Sequence, residues 1–318
     1  MNVLVTGGAG FLGSHIAKYH LDAGDNVTIL DNLSSGSIDN LSSIINHKNL
    51  EFIEEDLSRL SDLKVFTKNL DLVYHFAALV GVFNVCENPI QTLHENVVGF
   101  YNLFEALKKN NIKPRVLFAS TSEVYGKNCN GLDEESQLFM PDPKYMTISY
   151  AISKIAGENL GFCYYNLHKI PFTAVRIFNV IGPNQTGKYG MVVPRFIKQA
   201  VNNEDITIFG DGSQQRCFCD VRDFIQMLIR ITETKESIGQ VYNIGTQNEI
   251  SILELAKLIK TLLKSSSGFK FIPYKEAYAI DFIDTIRRKP NTQKLYDLIH
   301  YECKYSLEQS ILNIADTL

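Results

Sequence analysis

Short apolar runs alternate with longer stretches of helical periodicity through the first half of the chain. The runs predict strands at residues 3–6, 27–31, 51–54, 72–76, 116–120 and 173–178. Between them, the spacing of apolar positions predicts helices at residues 13–23, 60–68, 88–109 and 149–168. The strands are apolar almost throughout, which favours a parallel sheet that helices cover on both faces. The first half therefore predicts an α/β protein with a doubly wound parallel sheet.

The pattern becomes less regular after residue 178. It predicts a loop at 179–188, a helix at 191–202, a glycine-rich hairpin at 209–213, a helix at 222–232, a strand at 241–244, a helix at 252–264 and a loop at 265–268. No long linker separates the two halves. We expect a first domain over residues 1–178, rejoined by a return segment near 217–247, and a smaller α/β domain over residues 179–318.

Composition and charge exclude several classes of protein. Of 318 residues, 45% are apolar and 21% are charged, as in an ordinary globular protein, and the net charge of −4 predicts neither nucleic acid nor a membrane surface as a partner. The six cysteines are scattered, which is typical of reduced thiols, and Cys217 with Cys219 falls short of a metal site, so we expect no metal. We see no cleavable signal segment and no apolar stretch of membrane-spanning length in this sequence, so we expect a cytoplasmic protein.

A glycine-rich turn directly follows the first predicted strand. Its spacing is Gly8-x-Gly10-x-x-Gly13, overlapped by Gly7-x-x-Gly10-x-x-Gly13. Glycine permits the tight turn, the approach of backbone to a pyrophosphate and close packing of the next helix, although a purely structural turn has the same spacing. Eighteen positions after Gly13 the second strand ends in Asp31. An acid there can accept from an adenosine ribose and repel a 2′-phosphate, so a Rossmann fold that binds NAD is predicted over one that binds NADP.

Tyr150 and Lys154 are four residues apart on a predicted helix and therefore share one face. The strand before that helix ends in Ser120 and Thr121, and ligands bind at the carboxyl ends of such strands. Lowering the pKa of a tyrosine by about 3 units requires roughly 4 kcal/mol. An ammonium about 4 Å away supplies that order of energy at an effective dielectric near 20. The pair predicts a tyrosinate that takes an alcohol proton, with the Thr121 hydroxyl as its partner.

Several segments, in this order, resemble the extended short-chain dehydrogenases/reductases that act on nucleotide sugars. They are the glycine-rich turn, DNLSSG at 31–36, HFAA at 75–78, NVVG at 96–99, Tyr150-x-x-x-Lys154 and Arg176-x-Phe178-Asn179. The resemblance implies tightly held NAD, a UDP-sugar or similar nucleotide-sugar substrate, and a homodimer. It implies the catalytic residues Thr121, Glu123, Tyr150 and Lys154.

The resemblance also implies the binding residues. Cofactor contacts fall to Gly7, Gly10, Phe11, Leu12, Gly13, Asp31, Asn32, Asp56, Leu57, Phe76, Ala77, Ala78, Asn96, Ser120, Tyr150, Lys154 and Phe178. Asp56 and Leu57 would flank the adenine, and Asn96 would lie near the diphosphate. Substrate contacts fall to Val80, Thr121, Glu123, Asn179, Val193, Arg216 and Arg288.

The reaction depends on the step that comes after oxidation at carbon 4 of the sugar. Ser122 stands where the dehydratases have an Asp, which disfavours dehydration. Glu123 and Arg288 are similar to a pair in the UDP-glucuronate decarboxylases, but residues 78–82 lack the proline-rich loop associated with them. We therefore expect 4-epimerisation of a UDP-hexose or UDP-hexuronate, with UDP-glucuronate decarboxylation, then dehydration, then a non-catalytic NAD-binding sensor as alternatives. Whether Arg288 binds the diphosphate or a sugar carboxylate stays open.

Two helices carry more apolar residues than one sheet-facing stripe requires. On the predicted helices 88–109 and 149–168 these are Phe100, Leu103, Phe104, Leu160 and Phe162. In the family that the chain resembles, the two helices pair with their symmetry mates in a four-helix bundle. A homodimer with an isologous interface is therefore expected.

Overall fold

The computed structural model describes residues 1–60, 69–126, 129–138, 142–188, 190–277 and 285–318. Its strands are β1 (Asn2–Thr6), β2 (Asn26–Asp31), β3 (Leu50–Glu54), β4 (Leu72–His75), β5 (Arg115–Thr121), β6 (Cys129–Leu132), β7 (Phe172–Ile177), β8 (Val180–Ile181), β9 (Ile206–Phe209), β10 (Gln215–Cys217), β11 (Cys219–Asp220), β12 (Gln240–Ile244), β13 (Glu249–Ser251), β14 (Phe269–Ile272) and β15 (Arg287–Pro290). Its helices are α1 (Phe11–Asp22), α2 (Val82–Glu87), α3 (Pro89–Lys109), α4 (Ser149–His168), α5 (Val192–Val201), α6 (Val221–Glu233), α7 (Ile252–Leu262), α8 (Tyr274–Ala277), α9 (Gln293–Ile299) and α10 (Leu307–Ala315).

Six apolar strands of the first half join β12, from the second half, in one seven-stranded parallel sheet, which confirms the predicted doubly wound fold. The strand order is β12-β7-β5-β4-β1-β2-β3. From β1 the chain builds outward to β2 and β3, and then returns to β4 on the other side of β1. The carboxyl ends of β1 and β4 therefore border the crevice in which such sheets bind ligands.

Helices cover both faces of this sheet. One face packs against α1, α6 and α9 through residues such as Ile16, Phe224 and Ile299. The other face packs against α3 and α4, where Phe100, Leu103 and Phe104 are buried inside the protomer. The prediction that these three residues are surplus to the protomer is therefore wrong: the rings of Phe100 and Phe104 pack on Phe118 of β5 and Phe172 of β7, and Leu103 is buried in the same cluster.

Two glycines bring α4 unusually close to the sheet. A Cβ on Gly157 would lie 2.4 Å from the ring of Phe118, and one on Gly161 would lie 2.2 Å from the ring of Phe172. The two aromatic rings occupy the space that ordinary side chains would need. The close approach places Lys154, one turn before Gly157, directly over the end of β5.

Among its described residues, the smaller region has its own core and three small sheets. Its core lies between α5, α7 and α10, and its sheets have the orders β13-β10-β15-β6, β11-β8 and β14-β9. The predicted hairpin at 209–213 is wrong, because β9 pairs with β14 while β10 pairs with β13 and β15. The predicted loop at 179–188 contains the short strand β8. The predicted helix at 60–68 lies almost wholly outside the described residues.

In the part of the chain that the structure describes, no helix has both the length and the apolar character needed to cross a membrane.

Gly157→Ala should destabilise the protein by about 1–3 kcal/mol, because the added methyl group overpacks the contact with Phe118. Gly99→Ala on α3 is the matched control, since its Cβ would meet Leu57 at an ordinary 3.5 Å. That control should be neutral or gain up to about 1 kcal/mol from helix propensity. Urea unfolding followed by circular dichroism measures both changes. Equal effects of the two substitutions would contradict the close approach of α4.

Candidate active site

A cleft of about 740 Å³ runs along the carboxyl ends of the strands and continues between the sheet and the smaller region. Its volume is in the range of small-molecule sites. All the residues predicted as catalytic or binding line it, with the exception of Phe178. Phe178 is buried beside Val124 and Tyr125, while its neighbours Ile177 and Asn179 face the cleft.

The glycine-rich turn forms one wall of the cleft. A Cβ on Gly7 would lie 2.6 Å from the backbone nitrogen of Ala77, and one on Gly13 would lie 2.2 Å from the carbonyl oxygen of Gly7. Gly10 precedes α1, and no side chain caps the helix there. The first backbone N–H groups of α1 are therefore available to an anion in the cleft, which fits the pyrophosphate of a dinucleotide.

Asp31 lies at the end of β2, buried beside the turn. Its Oδ2 accepts from the backbone N–H of Ala9 at 2.9 Å, and its Oδ1 accepts from that of Leu33 at 2.8 Å. Burial raises the pKa of Asp31, and the two backbone donors oppose that rise. A carboxylate has about four acceptor positions, so two remain for the hydroxyls of a ribose. The turn and Asp31 together fit NAD.

Asn96 fixes the loop that follows β4. Its Oδ1 accepts from the backbone N–H of Leu79 at 2.7 Å, and its Nδ2 donates to the carbonyl of Leu79 at 3.2 Å and to Ser153 Oγ at 3.0 Å. The amide thus ties α3 to α4 and to the loop that contains Ala77 and Ala78. In the free protein these hydrogen bonds fix the loop after β4, which lines the cleft.

Tyr150 lies among charged and polar groups at the centre of the cleft. The Thr121 hydroxyl shares a hydrogen bond with it, and Glu123 and Arg288 lie close enough to act on its ionisation. Burial raises the pKa of Tyr150 well above its usual value; the Glu123 carboxylate adds to that rise, and Thr121 and Arg288 oppose it. Nη1 of Arg288 lies 3.7 Å from Oε1 of Glu123.

Lys154 is buried one helical turn after Tyr150. Its Nζ donates to the carbonyl of Ala119 at 2.7 Å and lies 5.7 Å from the centroid of the Tyr150 ring. Burial lowers the pKa of Lys154 to about 7, against the opposing effect of the Glu158 carboxylate. In the free protein the Lys154 ammonium faces a backbone carbonyl, and burial opposes the ionisation of Tyr150. That Lys154 assists a tyrosinate stays a prediction.

A buried ion pair behind these residues escaped the sequence analysis. Arg176 Nε donates to Glu158 Oε1 at 3.0 Å, and its Nη2 donates to Oε2 at 2.8 Å. Ser120 at the end of β5 also donates to Glu158. The signal was present, since Glu158 follows Lys154 by one turn and Arg176 belongs to a segment that carries the family resemblance.

The smaller region supplies the far end of the cleft. Asn179 donates to the carbonyl of Cys217 at 3.0 Å. On the neighbouring parallel strands β10 and β15, Arg216 lies in register with Arg288. Val80 and Val193 add apolar wall. Further lining residues that the sequence analysis missed are Lys188, Arg195, Phe209, Gln214 and Tyr274.

Comparison with known proteins gives concordant matches. The model of the NAD dependent epimerase/dehydratase family matches residues 3–245. The chain is 36% identical over 309 residues to a UDP-N-acetyl-alpha-D-glucosaminuronate decarboxylase from Bacillus cytotoxicus, covering 97% of this chain and 94% of that one. It is 33% identical over 311 residues to UDP-glucuronic acid decarboxylase 4 from Arabidopsis thaliana, covering 98% and 67%.

A solved structure matches over the same length. It is the crystal structure of UDP-glucuronic acid 4-epimerase from Bacillus cereus in complex with UDP-glucuronic acid and NAD, with a TM-score of 0.88 and 30% sequence identity. The match covers 100% of this chain and 98% of that one.

Asp31→Ala should weaken NAD binding by about tenfold or more, because the buried carboxylate is lost from both the ribose and the turn. It should also narrow the difference in affinity between NAD and NADP. Asp31→Asn is the control that keeps an acceptor of the same shape without the charge, and it should narrow that difference while losing less affinity. Titration calorimetry with both dinucleotides measures the affinities for each protein. Equal affinity of the wild type for NAD and NADP would refute the role of Asp31.

Proposed function

Because the chain belongs to the NAD-dependent epimerase/dehydratase family, its reaction uses NAD, and we propose that it decarboxylates a nucleotide-linked hexuronic acid. UDP-glucuronate and UDP-N-acetylglucosaminuronate are the substrates proposed. The resemblance in sequence to decarboxylases over nearly the whole chain supports this choice.

The observation that carries the proposal is the position of Arg288. Its side chain is only 16% exposed, lies beside Glu123 and Tyr150, and has an Nε that is buried with no hydrogen-bond partner among the described residues. A guanidinium fork matches a carboxylate with two parallel bonds. A neutral hexose would leave that buried donor unsatisfied, which is unfavourable. Since Arg288 lies next to the reacting tyrosine, it suits a carboxylate at carbon 6 better than a diphosphate.

The first step is oxidation at carbon 4. Tyr150 takes the proton of the 4-hydroxyl group, which the Thr121 hydroxyl orients through the hydrogen bond that the two side chains share. When bound, NAD would supply the acceptor for the hydride from carbon 4 and positive charge that favours ionisation of the tyrosine. Lys154, whose Nζ donates to the carbonyl of Ala119, contributes positive charge near Tyr150 whenever it is protonated.

The second step breaks the bond between carbons 5 and 6. The electron pair of that bond moves toward the carbon 4 carbonyl, which becomes an enolate, and the carboxylate departs as carbon dioxide. Carbon 5 then needs a proton. Glu123 would supply it, since its side chain lies beside Arg288 at the reacting centre. Arg288 holds the carboxylate until the bond breaks. Return of the hydride to carbon 4, with the proton that Tyr150 took, would then give the nucleotide-linked pentose and leave NAD as it began.

Epimerisation of the same uronate is the second candidate. The similarity to the Bacillus cereus 4-epimerase supports it, and so does the absence of a proline-rich loop at residues 78–82. An epimerase must keep the carboxylate and return the hydride to the opposite face, and it needs no acid at carbon 5. Because Glu123 lies with Arg288 at the reacting centre, we place decarboxylation first.

NAD-loaded protein should convert UDP-glucuronate or UDP-N-acetylglucosaminuronate to a nucleotide sugar with one carbon fewer and release one carbon dioxide per turnover. Proton NMR identifies the sugar, and a coupled assay measures carbon dioxide. UDP-glucose should stay unchanged, and Tyr150→Phe should abolish turnover while NAD stays bound. A galacto-configured uronate with no carbon dioxide would establish epimerisation instead.

We also propose that the protein forms a homodimer through α3 and α4. After the protomer core takes Phe100, Leu103 and Phe104, these helices still present apolar side chains, among them Tyr101 at 46% exposed and Leu167 at 75% exposed. Leu160 and Phe162 are only partly buried. Together they leave an apolar surface on the outer side of the helix pair.

Light scattering should give twice the protomer mass of 35.9 kDa at micromolar concentration. Leu160→Glu should shift the mass toward that of the protomer, because a charge would enter the proposed interface. Phe271→Glu makes a similar change on β14, in the smaller region, and should leave the dimer intact. A wild type that is monomeric throughout would overturn the proposal.

A further inference from the structure

Asn243 is a fully buried polar residue on β12, the strand at the edge of the main sheet. Its backbone N–H donates to Glu134 Oε1 at 2.7 Å, and its Oδ1 accepts from the Tyr125 hydroxyl at 2.8 Å. Its Nδ2 donates to the carbonyls of Leu132 and Asn291, each at 3.1 Å. The two N–H groups of the side-chain amide thus donate to two chain segments outside the main sheet.

Those two segments are the ends of β6 and β15, the strand that contains Arg288. The ladder between them is irregular: the register shifts between Lys289 and Pro290, and a proline has no N–H to donate. Beyond the shift, Asn291 N–H donates to Leu132 at 3.3 Å. The side-chain amide of Asn243 also donates to the carbonyls of these two residues, Leu132 and Asn291. It therefore reinforces the ladder where the backbone alone leaves it incomplete.

The position of Arg288 depends on this point of attachment. Arg288 is three residues before Asn291, and β15 has only two register pairs with β10 on its other side, Arg287 with Gln215 and Arg288 with Arg216. Movement of the Asn291 end therefore changes how far the Arg288 guanidinium reaches toward Tyr150. A displacement of about 1 Å is enough to change reactivity at such a site.

A continuous chain of hydrogen bonds also joins Asn243 to the catalytic helix. Tyr125, which donates to Asn243, accepts from Arg176 Nη1 at 2.9 Å, and Arg176 forms the bidentate pair with Glu158 on α4. Tyr150 and the strand of Arg288 are therefore attached to one buried polar network from its two ends.

We propose that Asn243 is a positioning residue that sets Arg288 against Tyr150 and thereby determines the preference for a carboxylate at carbon 6 of the sugar. The proposal rests on the proposed function, because it takes Arg288 as the ligand of that carboxylate. Asn243 itself touches neither substrate nor cofactor, and it acts through β15.

The test measures the preference directly, as the ratio of the affinities for UDP-glucuronate and UDP-glucose. Titration calorimetry is done on NAD-loaded protein with Tyr150→Phe, so that neither ligand is consumed. In this parent we expect a preference for UDP-glucuronate of about tenfold to hundredfold, the range of a charge-assisted hydrogen bond. Adding Arg288→Gln should bring the ratio near one, while adding Arg287→Gln should not, since Arg287 pairs with Glu249.

Adding Asn243→Ala should reduce the ratio about fivefold or more and change the affinity for UDP-glucose by less than about twofold. Asn243→Ser should act likewise, and its hydroxyl, which can still bond Tyr125 but is too short for both carbonyls, favours folding. Tyr125→Phe is the matched control, because it removes a bond of the same network and leaves the two amide bonds to β6 and β15. That control should keep the ratio.

Each other outcome identifies what is wrong. If Arg288→Gln brings the affinity ratio to one and the Asn243 variants leave it unchanged, Asn243 does not position Arg288. If the Asn243 variants weaken both ligands equally, or Tyr125→Phe lowers the ratio as much, the role is merely structural and the inference fails. A parent with no preference, unchanged by Arg288→Gln, would overturn the proposed function and this inference with it.

Discussion

The close approach of α4 to β5 and β7 is the constraint on which the rest of the site depends. Gly157 and Gly161 permit it, and the bidentate pair between Glu158 and Arg176 fixes it from below. A buried ion pair of this kind adds little net stability, but removing one partner would leave an unpaired charge, so the pair enforces one geometry. The result is a rigid platform from which Tyr150 and Lys154 face the carboxyl end of the sheet.

This burial has an electrostatic consequence. Removing Tyr150 and Lys154 from water raises the pKa of the first and lowers that of the second to about 7, so burial acts against the charged form of both. The nearby Lys154 does not offset the effect of burial on the pKa of Tyr150 in the free protein. If Tyr150 is the proposed base, a bound dinucleotide would add positive charge that favours its ionisation, which would link proton removal to the presence of the group that accepts the hydride. That linkage suits an enzyme that must not lose its intermediate to water.

Local patterns predicted the sheet, the glycine turn, Asp31 and the pair Tyr150 and Lys154, because strand periodicity and turn chemistry depend on near neighbours in sequence. The hairpin at 209–213 failed because strand pairing there is decided by residues more than fifty positions away, on β14 and β15. The prediction that Phe100, Leu103 and Phe104 are surplus to the protomer was wrong for the same reason. An aromatic residue on a helix does not reveal whether its partner is the protomer's own sheet or a second chain.

Arg288 shows most clearly why specificity is hard to read from sequence. Its strand lies between β10 and β6, outside the parallel sheet, and its environment combines Glu123 from the end of β5 with Arg216 from β10. Three segments far apart in the chain thus make one charged corner of the cleft. If Arg288 binds the sugar carboxylate as proposed, the main sheet can remain constant while this short strand changes which substituent of the sugar is recognised. For such an arrangement to be selective, the short strand must be tied firmly to the sheet, and the buried amide of Asn243 on the edge strand makes that connection.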